Sequence, residues 1–419
     1  MILKLFIATI LTGIISGFFI VFYAFLIEFF KTLFFMGDPF KTIATLPTWY
    51  LYAVPTTAIF IVNYIVSQDK NAREYGVNEI AQSIIENKMT ISLHSLFLKI
   101  FASTLSLASG FNVGTEGPSA SIGAMIAYHI HRVFKFPIML VKVMISIGAS
   151  SGIAAIFVSP ITGISFAVET IAHQFVKQYV GYLILASLLA FGISVNFLVP
   201  IIFFHSNGKS LDYTYLIFSI LFIPFITIFI YIYLFLKKRL LNLINIEIIH
   251  NFPKYRNIFF SFIGGGVIGT ILLIEPHGAF SGHKLVEFLI NNSSHISLIT
   301  IFVLLFLRII GTTFSIYANA VGGLFIPLMS IGALVGYSYA ELLNLLLSFH
   351  LQPFFFAAIG AAVFMGVIMK LPLTAVILAL ETSFDYSVVI STGVVVVIVS
   401  YLVELNFTIN PKDVTRAKA

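Results

Sequence analysis

The sequence predicts an all-α polytopic membrane protein assembled from two homologous halves, each carrying a helix broken by glycine and proline. Three observations predict it: an extreme apolar composition, a succession of long apolar runs, and an internal repeat. Of the 419 residues, 59% are hydrophobic and only 10% charged, and the mean hydropathy is +1.04. A soluble domain is roughly 45–50% apolar and about 25% charged, so a soluble fold cannot hide this much apolar surface.

Apolar runs that reach or approach the ~20 residues of a spanning helix recur along the chain. They are Leu5–Leu26, Leu51–Val66, Leu183–Phe204, Tyr215–Leu236, Ile258–Ile274, Ile299–Ile310 and Val388–Val403. The first is too long for the ~7–15-residue core of a signal peptide and lacks a small-residue cleavage site before Glu28, so it reads as a retained helix. The basic residues cluster between runs: Lys70, Arg73 and Lys88; then Lys237, Lys238, Arg239, Lys254 and Arg256; then Lys412, Arg416 and Lys418. By the positive-inside rule these segments face the cytoplasm, whereas His205–Tyr213 and Glu275–His295, with one lysine each, face outward. The formal charge of +6 therefore reflects topology and not nucleic-acid binding. A multi-pass inner (plasma) membrane protein with both termini cytoplasmic is expected. Cysteine is absent, which excludes disulfides and thiolate metal sites.

The repeat shows when the chain is offset against itself. A shift of 209 residues lays Gly114–Tyr128 on Gly323–Tyr337, pairing Pro118 with Pro327 and Ser121–Ala124 with Ser330–Ala333. A shift of 212 lays Gly148–Thr170 on Gly360–Thr382, pairing Pro160 with Pro372 and Glu169-Thr170 with Glu381-Thr382. Membrane helices share glycine and alanine by composition, but matched prolines and glutamates are not compositional. Two halves follow, 1–205 and 206–419, which together form one membrane domain. From the residues alone they are equally compatible with parallel or inverted insertion.

Each half contains a break ahead of a small-residue helix: Gly114-Thr115-Glu116-Gly117-Pro118 and Gly322-Gly323-Leu324-Phe325-Ile326-Pro327. Proline suits the first helical turn, and a helix start presents unpaired N–H groups and a positive dipole end. Within lipid, such backbone is tolerated only inside protein or around a cavity. Repeats of this type often enclose a site where broken-helix N-termini aim at an anion. The N–H groups of Glu116, Gly117, Leu324 and Phe325 are the expected donors. Glu116, an ionisable residue in so apolar a setting, is a functional candidate by default; the alternative is a charge that merely complements its helix dipole.

These residues resemble the CLC family of chloride channels and chloride/proton exchangers. Gly114–Pro118 resembles the family's GREGP motif and Gly323–Pro327 its GxFxP motif. Tyr75-Gly76-Val77-Asn78-Glu79-Ile80 fits its GSGIPE element, and Pro160–Glu169 and Pro372–Glu381 resemble its paired PLxGxxFxxE helices. The likeness covers nearly the whole chain in the family's order. It implies inverted repeats with broken helices meeting at a midplane anion site, a homodimer with one pore per subunit, and chloride as the usual ion. It also implies that Glu116 is a gating, proton-linked glutamate whose carboxylate occupies an anion site and leaves it when protonated or displaced. Lys99, seventeen residues before Glu116, matches a lysine behind the family's ion path; snorkelling to the interface is the equal alternative.

Several positions depart from the pattern. Tyr75 stands in place of the motif's serine, Asn78 in place of its proline, and Thr115 in place of its arginine. Tyr75 and Gly76 are still expected at the anion site, Tyr75 through its hydroxyl. The C-terminal tyrosine of the family has no match, and Asn410 is the positional candidate there. Many exchangers carry a second glutamate where Thr170 stands, so Thr170 is a coupling candidate that leaves exchanger and channel both open. Glu169 and Glu381 read as structural helix-end carboxylates. Too few residues follow Val403 for the regulatory domains found on many family members.

The expected activity is transport of chloride or a similar small anion, as chloride/proton exchange gated by Glu116. The alternatives are a passive voltage- or pH-gated chloride channel and a fluoride-selective transporter. No enzyme is expected, because no paired Asp, Ser/His or His-rich metal constellation occurs. A cation or drug transporter would want carboxylate clusters where this chain has a lone glutamate beside two helix starts. No metal, cofactor or nucleic acid is expected; the partners are a small anion, protons, membrane lipid and a second copy of the chain.

Overall fold

A computed structural model describes residues 1–69, 72, 92–172, 176–200, 213–244, 253–291, 296–347 and 349–409. These residues form helices, with no strand among them beyond one isolated bridge. In chain order the helices are α1 (Ile2–Phe34), α2 (Thr48–Gln68), α3 (Leu93–Ala108), α4 (Glu116–Val133), α5 (Val141–Phe157), α6 (Pro160–Ala167) and α7 (Val176–Ser194). There follow α8 (Tyr213–Ile244), α9 (Pro253–Ile274), α10 (His283–Asn291), α11 (Leu298–Tyr317), α12 (Phe325–Leu347), α13 (Pro353–Met369), α14 (Pro372–Ser383) and α15 (Tyr386–Ile409).

Among the described residues, eight helices are long and apolar enough to cross a membrane. The windows in α5 and α12 are interior, 89% and 83% buried, whereas those in α2, α8, α9 and α15 are 39% buried. The outer helices are therefore apolar towards lipid and the inner ones are built for helix contact. Two expectations shift. Lys237, Lys238 and Arg239 are not in a loop: α8 continues through them to Ile244, since all three are good helix formers and their charge suits a C-terminal dipole. The run Leu183–Phe204 is entered midway along α7, which starts at Val176 and stops at Ser194.

The described chain packs as two compact units. The first comprises Met1–Ile201, Leu241–Phe288 and Phe306–Pro327, the second Ile202–Leu240, Leu289–Leu305 and Leu328–Ala419. In the first, α4 packs on α5, α1 on α3, α4, α5 and α7, and α9 on α2. In the second, α13, α14 and α15 pack mutually.

The repeat reappears as geometry. Helices α5 and α13 each end on a residue in the left-handed region, Val158 at φ 53° and Lys370 at φ 60°, 212 positions apart. Pro160 and Pro372 then open α6 and α14 at their first positions. A proline cannot follow directly on a helix, because its ring clashes with the preceding turn, so one left-handed residue turns the chain. The close helix pairs also correspond. A Cβ on Gly123 would stand 2.0 Å from the Gly148 carbonyl oxygen, and a Cβ on Gly332 would stand 2.1 Å from that of Gly360. Lipid tails are as apolar as leucine, so helices in a membrane associate by close backbone packing at such small residues.

Gly123→Ala should therefore lower the apparent melting temperature, in line with an overpacking cost of about 1–3 kcal/mol. Gly266→Ala on α9, where an added Cβ meets nothing within 4 Å, should leave it unchanged. Thermal scans of the two purified variants check this; equal melting temperatures would contradict the close pairing.

Candidate functional site

The two breaks are joined to each other. Gly114 N–H donates to the Gly323 carbonyl at 2.7 Å, and Gly323 N–H donates back to the Gly114 carbonyl at 2.7 Å. This isolated antiparallel bridge is flanked by a second reciprocal pair. Asn112 N–H donates to the Ser315 hydroxyl, and Val321 N–H donates to the Ser106 hydroxyl, both at 2.9 Å. Residues 106, 112 and 114 correspond to 315, 321 and 323 at the 209-residue offset. Contacts in which i meets j′ while i′ meets j are the signature of a two-fold relation, here between two stretches of one chain. Gly110 and Asn319, also 209 apart, both turn the chain with positive φ, 103° and 60°.

The bridge brings two helix starts face to face. Helix α4 begins at Glu116 and α12 at Phe325, and each leaves first-turn N–H groups free of intrahelical partners. The Glu116 side chain is 3% exposed and crosses to the other break. Its Oε1 accepts from Ile326 N–H at 3.0 Å, with the N–H groups of Phe325 and of Glu116 itself also directed at the carboxylate. A carboxylate thus sits where the positive ends of two helices converge, the arrangement an inorganic anion would also choose. The glycines make room for it: a Cβ on Gly114 would lie 2.2 Å from both carboxylate oxygens, and one on Gly323 would lie 2.7 Å from Oε1. The Phe325 ring is fully buried and packs against Phe157 at 5.0 Å between centroids.

Of the expected site residues, Glu116, Gly117, Leu324 and Phe325 come together at this junction. Ile326, one residue beyond the expected pair, supplies the measured hydrogen bond. Lys99 is 1% exposed on α3, so it does not snorkel to the surface. Thr170 lies in a π-type turn, Val168–Ala172, that continues α6, and its hydroxyl donates to the Phe166 carbonyl at 2.6 Å. Tyr75, Gly76, Asn78 and Asn410 fall outside the described residues.

Sequence reasoning missed Arg308. Buried at 0% exposure, it donates to the carbonyls of Ala279, Phe280 and Ser281 at 2.9, 2.8 and 2.7 Å. That segment braces the run into Glu116: Phe280 N–H donates to the Gly110 carbonyl at 2.9 Å, and Asn112 Nδ2 donates to the Gly278 carbonyl at 2.7 Å. The signal was available, since Arg308 is the one charged residue in Leu298–Tyr317 and a lone intramembrane charge marks a site or its scaffold. The preceding turn, Glu275–Gly278, is held by its own cap. A hydrogen bond from His277 Nδ1 to the Glu275 carboxylate, 2.7 Å, keeps that carboxyl below its ordinary range against the opposing effect of burial.

Comparison with known proteins agrees with this geometry. The H(+)/Cl(-) exchange transporter ClcA of Vibrio parahaemolyticus serotype O3:K6 (strain RIMD 2210633) is 25% identical over 362 residues, 83% of this chain and 75% of that one. The H(+)/Cl(-) exchange transporter ClcA of Vibrio campbellii (strain ATCC BAA-1116) is 26% identical over 380 residues, 84% of this chain and 77% of that one. Among solved structures, a slow cyanobacterial Cl-/H+ antiporter shares the fold at a TM-score of 0.83 and 20% identity, covering 96% of this chain and 94% of that one. A CLC-type fluoride/proton antiporter does so at 0.74 and 17% identity, covering 96% and 95%. Residues 56–404 match the family described as Voltage gated chloride channel, a span that includes both breaks, and the chain belongs to that family.

Proposed function

We propose that the protein exchanges chloride for protons across the membrane, with Glu116 as the gate. The observation that carries this is the Glu116 carboxylate on the Ile326 N–H at 3.0 Å: a titratable anion occupies the donors that a transported anion needs. Carboxylate and halide compete for the same N–H groups, so protonating or displacing the side chain admits the ion, and the vacated carboxyl carries a proton. The curated relatives are named for the same exchange. The reciprocal contacts across Gly114 and Gly323 support halves that insert in opposite senses, divided near residues 205 and 206. A homodimer in the plasma membrane with cytoplasmic termini fits the same reading, as do the absence of a cofactor and the assignment of Tyr75, Gly76 and Asn410 to the anion path.

One observation favours the channel as the second reading. The Thr170 hydroxyl is directed at the Phe166 carbonyl and not along a path, so a proton moving from Glu116 to the cytoplasm relies on water bridges.

Reconstituted protein should carry chloride and not potassium; equal potassium flux would contradict an anion site. Glu116→Gln should keep or raise chloride flux and abolish its pH dependence, because the amide neither titrates nor competes as an anion. In the wild type, flux should fall as pH rises and the carboxylate reoccupies the donors. PH dependence retained in Glu116→Gln would place the gate elsewhere. Tyr75→Phe should alter the halide selectivity series by removing one donor while keeping the ring, and an unchanged series would remove Tyr75 from the site.

A further inference from the structure

Only one oxygen of the Glu116 carboxylate is held by a measured hydrogen bond. Oε1 takes the Ile326 N–H, whereas Oε2 is shielded from solvent and has no hydrogen-bond partner among the described residues. A second group in the same condition lies nearby. Tyr23 on α1 is 0% exposed, and its hydroxyl has no hydrogen-bond partner among the described residues. That hydroxyl stands beside the Ser103 hydroxyl of α3 and within electrostatic reach of the Glu116 carboxylate. Ser103 directs its own proton to the Lys99 carbonyl at 2.7 Å and forms no hydrogen bond with Tyr23. Helix α1 packs on both α3 and α4, so the three helices that carry these groups are in contact.

Buried hydroxyls are nearly always hydrogen-bonded, and an orphan donor facing an orphan carboxylate oxygen marks space for a polar occupant. The character of that occupant follows from what remains when Glu116 swings out. The N–H groups of Gly117, Phe325 and Ile326 are then left together with the Tyr23 O–H, all of them donors. Such a set selects an acceptor without hydrogens of its own, which is a halide ion.

We propose that Tyr23 is an anion-binding residue, whose hydroxyl donates to the transported halide when the ion replaces the Glu116 side chain at the junction of α4 and α12. This rests on the reading of the protein as a chloride transporter. Placing the donor on α1 gives the site a contact from a helix that belongs to neither break.

The test is chloride affinity, measured by isothermal titration calorimetry on detergent-purified wild type, Tyr23→Phe and Tyr23→Leu, with melting temperatures taken in chloride-free buffer. Tyr23→Phe removes an unpartnered hydroxyl and keeps the ring, so its chloride-free melting temperature should match or exceed that of the wild type. Its chloride affinity should fall about tenfold, as expected for a hydrogen bond to a charged acceptor, and the chloride-induced rise in melting temperature should shrink accordingly. Tyr23→Leu should lose the same affinity and also lose stability, which separates the hydroxyl from the packing of the ring. A change of less than threefold in Tyr23→Phe, with the wild type binding chloride, overturns the assignment of Tyr23 and leaves the transport reading intact. A wild type that neither binds nor transports chloride overturns both.

Discussion

The whole site depends on the pair of reciprocal hydrogen bonds between Gly114 and Gly323. Backbone that is not helical must satisfy its polar groups inside the protein when water is absent. Here each break supplies the partner of the other, so neither can exist in this form alone. The flanking bonds from Asn112 to Ser315 and from Val321 to Ser106 extend the arrangement, and a bridge made of glycines leaves room beside it for a carboxylate. Two helix N-termini are held at one point by the same few bonds that satisfy the breaks.

That placement explains why the anion site can be built from backbone. A fixed cation at the junction would bind an ion strongly and release it slowly, whereas N–H groups at two helix ends give a diffuse positive potential. The charge that is present, Arg308, is set back from the junction and directed at three consecutive carbonyls. It shapes the loop that steers the chain into Glu116 without presenting a countercharge to the site itself.

Much of this was legible in the sequence because the repeat is written in residues that have no compositional reason to match. Pro160 with Pro372 marked two helix starts, and both appear as such. Glu116 within Gly114–Pro118 marked the gate position, and the side chain lies at the junction. Three features were not legible. The left-handed Val158 and Lys370 carry no residue signature, since a non-glycine at positive φ is imposed by the chain around it. Ser106 and Ser315 read as ordinary membrane-helix serines until their partners are known, because hydrogen bonds spanning about two hundred residues leave no local pattern. Tyr23 sits in an apolar run that reads as uniformly lipid-facing, and only its burial distinguishes it. The basic residues at the end of α8 were misplaced because charge marks the edge of the bilayer, whereas a helix ends where its backbone bonds end.

The central claim is that one carboxylate, resting on the donors an anion uses, couples two ion fluxes. The most direct test is simultaneous recording of chloride and proton movement in sealed proteoliposomes with an outward chloride gradient and no initial pH gradient. The account predicts that chloride efflux drives protons inward until an opposing proton gradient builds up, with some chloride slipping through unaccompanied because Thr170 supplies no titratable relay. Rapid chloride efflux with no uphill proton movement at any pH would contradict it and establish a passive channel.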